Sequence, residues 1–173
     1  MPQFKVSVDK DYLVFAAGHF ITYDGVCETL HGHNYRTRVE IEGELDENQI
    51  VLDFGKLKTV MRRLVDELDH KMLLPLDNPR INVRQEVDEI HVRYGKRRYV
   101  FPKDDVVLLP VANTTAELLA RHLAQRLKVE LGATDSTNLS SIIVEVEESF
   151  GQSAWYRERL DAPTLSEDRA GAG

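Results

Sequence analysis

His31-Gly32-His33 is the sharpest chemical signal in this chain. On a β-strand, residues i and i+2 project from one face, so two imidazoles can meet a single ion without bending the backbone. Gly32 removes a side chain between them. His19 ends the preceding strand-like run and supplies a third nitrogen if the two strands pair. Three neutral histidines with a coordination position left open form the donor set of a catalytic zinc site. The same spacing also arises from a chance pair of half-buried histidines. Other metal-binding frames fit poorly. An amidohydrolase barrel needs about 250 residues, against the 173 present, and a cupin-like jelly roll leaves two helical stretches unexplained.

Other reactive groups lie within reach of such a centre. Cys27 stands four residues before His31, in a loop that could fold over a metal. A nearby cation lowers a thiol's pKa and makes a thiolate base available; a buried structural cysteine is the plainer account. Asp69-His70 pairs a carboxylate with an imidazole it can orient, or is a histidine answering a helix C-terminal dipole. Neighbouring residues do not face each other on a helix, so the pair belongs where the helix ends. Glu148 falls, by strict alternation, on the face of Ile142, Val144 and Val146. A carboxylate there needs a partner, such as a ligand with paired N–H donors, unless the strand stops at Glu147. Glu117 is accounted for as the acid of a helix capping box.

Few elements are needed to position these groups. Phe4 to Phe20, with Asp9, Lys10 and Asp11 inside it, reads as one or two strands, and Ile21 to Thr29 as a loop. His31 to Glu42 alternates as a strand, with Tyr35, Val39 and Ile41 on the histidine face and Arg36, Arg38 and Glu40 on the other. Asp53 caps a helix running to about Leu68, along which Leu57, Val60, Met61, Leu64 and Val65 form an apolar stripe. A second helix starts near Thr114, where Thr114 to Glu117 matches the capping box and Leu119, Leu123 and Leu127 follow. Glu89–Tyr94 and Arg97–Phe101 flank Gly95-Lys96 as a β-hairpin, and Ser141 to Glu148 reads as the last strand. The pattern predicts one small α+β domain over residues 1–160 with a mainly antiparallel sheet. Residues 161–173 have little to bury and are expected to be disordered.

Composition excludes several function classes. Lys plus Arg is 22 against 29 Asp plus Glu, a net charge of −7, which argues against a nucleic-acid phosphate binder. A single cysteine cannot form an internal disulfide. No apolar run approaches ~18 residues and no signal-peptide core precedes the first strand. A cytoplasmic protein with no membrane partner is expected.

Taken in order, FAAGHF, CETLHGHNY, VLDFGKLK, LDHKML, NTTAELLA and VEVEES span about Phe15 to Tyr156. Together they resemble the 6-pyruvoyl-tetrahydropterin synthase / 6-carboxy-tetrahydropterin synthase family. The resemblance implies the tunnelling fold, a four-stranded antiparallel sheet with two helices on one face. It also implies a homo-oligomer, trimer-based and up to a hexamer, with active sites between subunits. By motif position it implies Zn2+ on His19, His31 and His33, Cys27 as the catalytic thiol, and Asp69 with His70 as a proton relay. Glu148 would anchor the pterin's N–H edge, with Thr115 and Glu117 in the T-x-E segment near the pterin.

The implied reaction is a lyase step on 7,8-dihydroneopterin triphosphate, without a redox cofactor. Two departures stand out. A hairpin inserted at about 88–104 lengthens the region before T-x-E, and Thr114 replaces the family's proline or serine. Three residues separate Cys27 from His31, as in the bacterial 6-carboxy branch. That spacing points to 6-carboxy-5,6,7,8-tetrahydropterin, a queuosine precursor, as the product. The 6-pyruvoyl product and a non-catalytic pterin-binding member of the fold are the alternatives.

Overall fold

A computed structural model describes residues 3–133, 136 and 138–160. The expectation for residues 161–173 lies outside them. In chain order the elements are β1 (Phe4–His19), β2 (Thr22–Tyr23), β3 (Val26–Cys27), β4 (His31–Gly43), α1 (Phe54–Asp66), β5 (Lys71–Pro75), β6 (Asn82–Gln85), β7 (Glu89–Tyr94), β8 (Arg97–Pro102), β9 (Val106–Leu109), α2 (Ala116–Glu130), β10 (Leu139–Ser149) and β11 (Gln152–Arg159).

The main sheet has six strands in the order β11-β10-β4-β1-β5-β9. Its antiparallel part is β11-β10-β4-β1, so the sheet is mixed and larger than the four-stranded antiparallel one that the family resemblance implies. Two strands correct that expectation: β5 pairs parallel with β1, and β9 parallel with β5. Both are short and packed on two sides, β5 buried beyond Lys71 and β9 half-buried before Leu109. Leu73, Val107 and Leu109 join the core under the helices, while Met72, Leu74, Val106 and Leu108 join a second cluster on the opposite face. A strand buried on both faces is a continuous apolar run without alternation, which hides it from period-2 reading. The chain also runs one strand beyond the expected last one. It turns at Gly151, whose φ of 77° suits glycine, and returns as β11.

Phe4 to His19 is one strand, not two. Its pairing with β4 jumps between Asp9–Arg38 and Val14–Arg36, so β1 carries extra residues between Asp9 and Val14. The displaced Leu13 carbonyl accepts a hydrogen bond from Thr37 Oγ1 at 3.0 Å. Such an irregularity flips the strand's alternation. Val8 is buried before it, and Leu13, Phe15, Ala17 and His19 after it. Without the jump, His19 would point away from the helices.

Helix α1 begins as expected: Asp53 accepts from the Lys56 N–H at 2.7 Å. Leu57, Met61, Leu64 and Val65 are buried, each contributing roughly 1.5–3 kcal/mol of apolar burial. Helix α2 starts one residue later than expected, with Thr115 as its N-cap and no side-chain capping bond. The Thr114 capping box does not form because Thr114 is buried and its hydroxyl donates to Phe20 O at 3.3 Å. Both helices join one core with the inner sides of β1, β4 and β10. The hairpin β7–β8 forms as expected and gains β6 as a third strand. No helix of the described residues is long and apolar enough to cross a membrane.

Candidate metal centre and active site

Strand pairing sets His19 directly opposite His31 at the end of β1–β4. Gly32 permits the close approach there, since a Cβ would meet the Ala17 carbonyl oxygen at 2.9 Å. His33 follows on the same face as His31, and β10 delivers Glu148 to the same end of the sheet. One donor atom from each of His19, His31, His33 and Glu148 lies within 4.8 Å of the others. His19 is almost wholly buried, while His31 is open to solvent.

The hydrogen bonds fix which nitrogens face the centre. His19 Nδ1–H donates to Thr114 O at 2.9 Å, and His31 Nδ1–H donates to Thr29 O at 2.8 Å. A carbonyl only accepts, so each Nδ1 carries the proton and each Nε2 keeps its lone pair. Those two Nε2 atoms stand 3.2 Å apart. Two nitrogens bound to one tetrahedral metal at about 2.0–2.1 Å would be separated by about 3.3 Å. His33 Nε2 is buried without a hydrogen-bond partner, although Glu148 Oε1 lies 3.1 Å away in a contact not aligned for a hydrogen bond. Burial also pushes the His19 pKa down, keeping the ring neutral. Lone pairs that converge on one point, with the opposite nitrogens pinned by carbonyls, match a metal site and its supporting shell. The donor set fits a divalent metal ion.

Tyr35 backs this centre. Its ring stacks on Phe15 at 4.6 Å, and its hydroxyl lies 3.2 Å from His19 Nδ1. Burial, and then the Glu148 charge, raise its pKa, so the phenol stays protonated. The carbonyls of Thr29 and Thr114, which orient the His31 and His19 rings, have no counterpart in the sequence reading. Any residue type supplies a carbonyl, so no sequence signal marks them.

The remaining candidate residues are not among these converging donors. Asp69 and His70 follow the end of α1, as helix geometry required. Asp69 Oδ1 accepts from the Ala16 N–H at 2.8 Å, and Oδ2 stands 2.9 Å from His70 Nδ1. His70 takes a left-handed φ of 57° and its N–H donates to Ala16 O at 2.6 Å, a conformation worth noting in a residue other than glycine. The Ala16 N–H bond, then His70, hold the Asp69 pKa below the usual carboxylate range. A cleft of about 650 Å3 runs past His70, Lys71 and Asp105 to His31, Gly32 and Asn34.

Cys27 is buried and belongs to the second apolar cluster, with Phe20, Met72, Leu74 and Ile90. It is not among the four converging donors. Thr115 caps α2 beside Thr114, the partner of His19, and Glu117 is exposed in the first turn.

The 6-pyruvoyl tetrahydropterin synthase family matches residues 8–159. The chain belongs to that family. A Methanocaldococcus jannaschii relative, provisionally named 6-carboxy-5,6,7,8-tetrahydropterin synthase, is 33% identical over 150 residues, 86% of this chain and 92% of the relative. The Haemophilus influenzae 6-carboxy-5,6,7,8-tetrahydropterin synthase is 29% identical, over 72% of this chain and 82% of its own. The crystal structure of Plasmodium vivax 6-pyruvoyl tetrahydropterin synthase superposes with a TM-score of 0.85 at 28% identity, covering 92% of this chain and 99% of that one. This member of the synthase family is therefore a lyase of the tetrahydropterin synthase type.

Proposed function

We propose that this protein is a zinc-dependent 6-carboxy-5,6,7,8-tetrahydropterin synthase acting on 7,8-dihydroneopterin triphosphate, in the queuosine precursor pathway. The observation that carries this reading is the convergence of His19, His31 and His33 with both visible Nδ1 positions already spent on carbonyls. The names of the curated relatives and the three-residue spacing between Cys27 and His31 favour the carboxy product. The match to 6-pyruvoyl structures favours 6-pyruvoyl-tetrahydropterin as the second reading. A non-catalytic pterin binder would have no use for a thiol and an Asp–His pair in addition to the metal donors.

In this mechanism His19, His31 and His33 would hold the zinc, which would supply Lewis-acid chemistry toward the substrate's side-chain hydroxyls. Cys27, as thiolate, would take a proton from the substrate's side chain, and triphosphate would leave with the electron pair of its C–O bond. Asp69 Oδ2 holds His70 Nδ1, leaving His70 Nε2 to carry protons in the later tautomerisation. Thr115 and Glu117 border the pterin at the start of α2. The active sites form between copies of the chain in a trimer-based assembly; His70, 83% exposed at its side chain, is free to serve such a boundary. Incubation with 7,8-dihydroneopterin triphosphate, followed by mass spectrometry, tests the reading. A 6-carboxy product is expected, a 6-pyruvoyl product selects the second reading, and unchanged substrate refutes both.

Glu148 anchors the pterin in this scheme. An amino-pyrimidinone edge offers adjacent N–H donors to both carboxylate oxygens, and such charge-assisted bonds contribute roughly 1.5–3 kcal/mol net. Glu148→Gln puts an NH2 against those donors. Binding of an unreactive pterin should weaken at least about tenfold, about 1.4 kcal/mol, by calorimetry at fixed pH, with metal content intact. Loss of metal instead would make Glu148, 3.1 Å from His33 Nε2, a ligand; equal pterin affinity would leave it a strand-end carboxylate.

A further inference from the structure

The hairpin β7–β8 is not used by the reaction described above, yet it grips the turn that bears the thiol. Arg97, the first residue of β8, reaches across with Nη1 and donates to Cys27 O at 2.8 Å and to Glu28 O at 2.7 Å. Tyr94, the last residue of β7, donates its hydroxyl to Gly25 O at 2.6 Å. Beneath them Tyr99 of β8 stacks on Phe20 at 5.4 Å. The β2–β3 turn is thus held at three carbonyls by two side chains from the hairpin's tip. These carbonyls flank or belong to Cys27, so the thiol's position is set from outside its own loop.

We propose that Arg97 is a positioning residue for Cys27: its guanidinium ties the Cys27–Glu28 backbone to the hairpin and sets a fixed positive charge beside the thiol. The inference rests on the assignment of Cys27 as the reaction's base. Two charged groups act on the sulfur, Arg97 favouring the thiolate and Glu28 opposing it. Tyr94 reaches Gly25 O and Tyr99 the Phe20 ring, and the cluster partners from β5 and β7 (Met72, Leu74, Ile90, Val92) are apolar. Burial pushes the thiol's pKa up, and Arg97 is the counterweight. An arginine suits this task because two carbonyl acceptors can share the N–H bonds of one rigid, always-charged group.

The test compares the native protein with Arg97→Gln and Arg97→Lys by two readouts. One is the pH midpoint of Cys27 alkylation by iodoacetamide, followed by mass spectrometry. The other is steady-state turnover of 7,8-dihydroneopterin triphosphate. Arg97→Gln should raise the alkylation midpoint by at least about half a pH unit and lower kcat at least about tenfold, with KM little changed. Arg97→Lys keeps the charge and should recover most of the midpoint but only part of kcat. If Arg97→Gln does not fold, the Arg97→Lys comparison decides alone: native kcat in that variant overturns the positioning role. An unchanged midpoint in Arg97→Gln, or a raised KM at native kcat, also overturns it. Absence of turnover in the native protein would refute the assigned reaction, while the alkylation midpoint would still report the coupling of Arg97 to Cys27.

Discussion

The double variant His31→Ala/His33→Ala should purify as a folded chain that retains no metal ion, while the native protein retains one under the same desalting. Both residues lie on β4, which pairs with β1 from His31 to Gly43 and with β10 from Arg36 to Gly43. Exchanging a strand residue for alanine costs within ~1 kcal/mol, so the fold survives. The metal does not, because His19 alone cannot hold a divalent ion against buffer, and removal of two imidazoles leaves only the Glu148 carboxylate beside it. Thermal unfolding gives an independent check. A ligand present at 100 times its Kd stabilises by about 2.7 kcal/mol, so a chelator should lower the melting temperature of the native protein and leave that of the variant unchanged. Unchanged stoichiometric metal in the double variant would remove His31 and His33 from the centre.

How far the sequence could be read depended on which physical signal each element leaves. The alternation of β4 was plain because one side faces the core and the other carries Arg36, Arg38 and a Glu40 paired to Lys5. The placement of His31 and His33 on one face therefore followed from period 2 alone. His19 needed more: its orientation depends on the irregularity between Asp9 and Val14, and a cluster of turn-forming residues reads equally well as a break or as a bulge. Strands β5 and β9 left no alternation to find, being covered by the helix core on one face and by the three-stranded sheet on the other. Thr114 fits the capping-box pattern without being a cap, because a hydroxyl three residues before a glutamate fits it whether or not that hydroxyl is free. Its hydroxyl is taken by Phe20 O, and its carbonyl serves His19. Arg97 was legible only as a residue of a hairpin, since its two acceptors lie far away in sequence.

Cys27→Ala is expected to keep the fold and the metal but to lose about 10²–10⁴-fold in kcat, the range for removing a general base. That corresponds to about 2.7–5.4 kcal/mol of barrier. The fold should tolerate the change because the substitution removes one sulfur atom from an apolar cluster, a loss on the order of 1 kcal/mol. Metal should stay because Cys27 is not among the converging donors. The pH dependence carries the sign of the argument. Burial raises the thiol's pKa, with Arg97 opposing, so the thiolate is the minor form at neutral pH. Native kcat should then rise with pH as the thiolate fraction grows, and the residual rate of Cys27→Ala should lack that limb. Loss of metal in Cys27→Ala would make the thiol a ligand. A near-native rate with an unchanged profile would return Cys27 to a structural role in its buried cluster with Phe20 and Ile90.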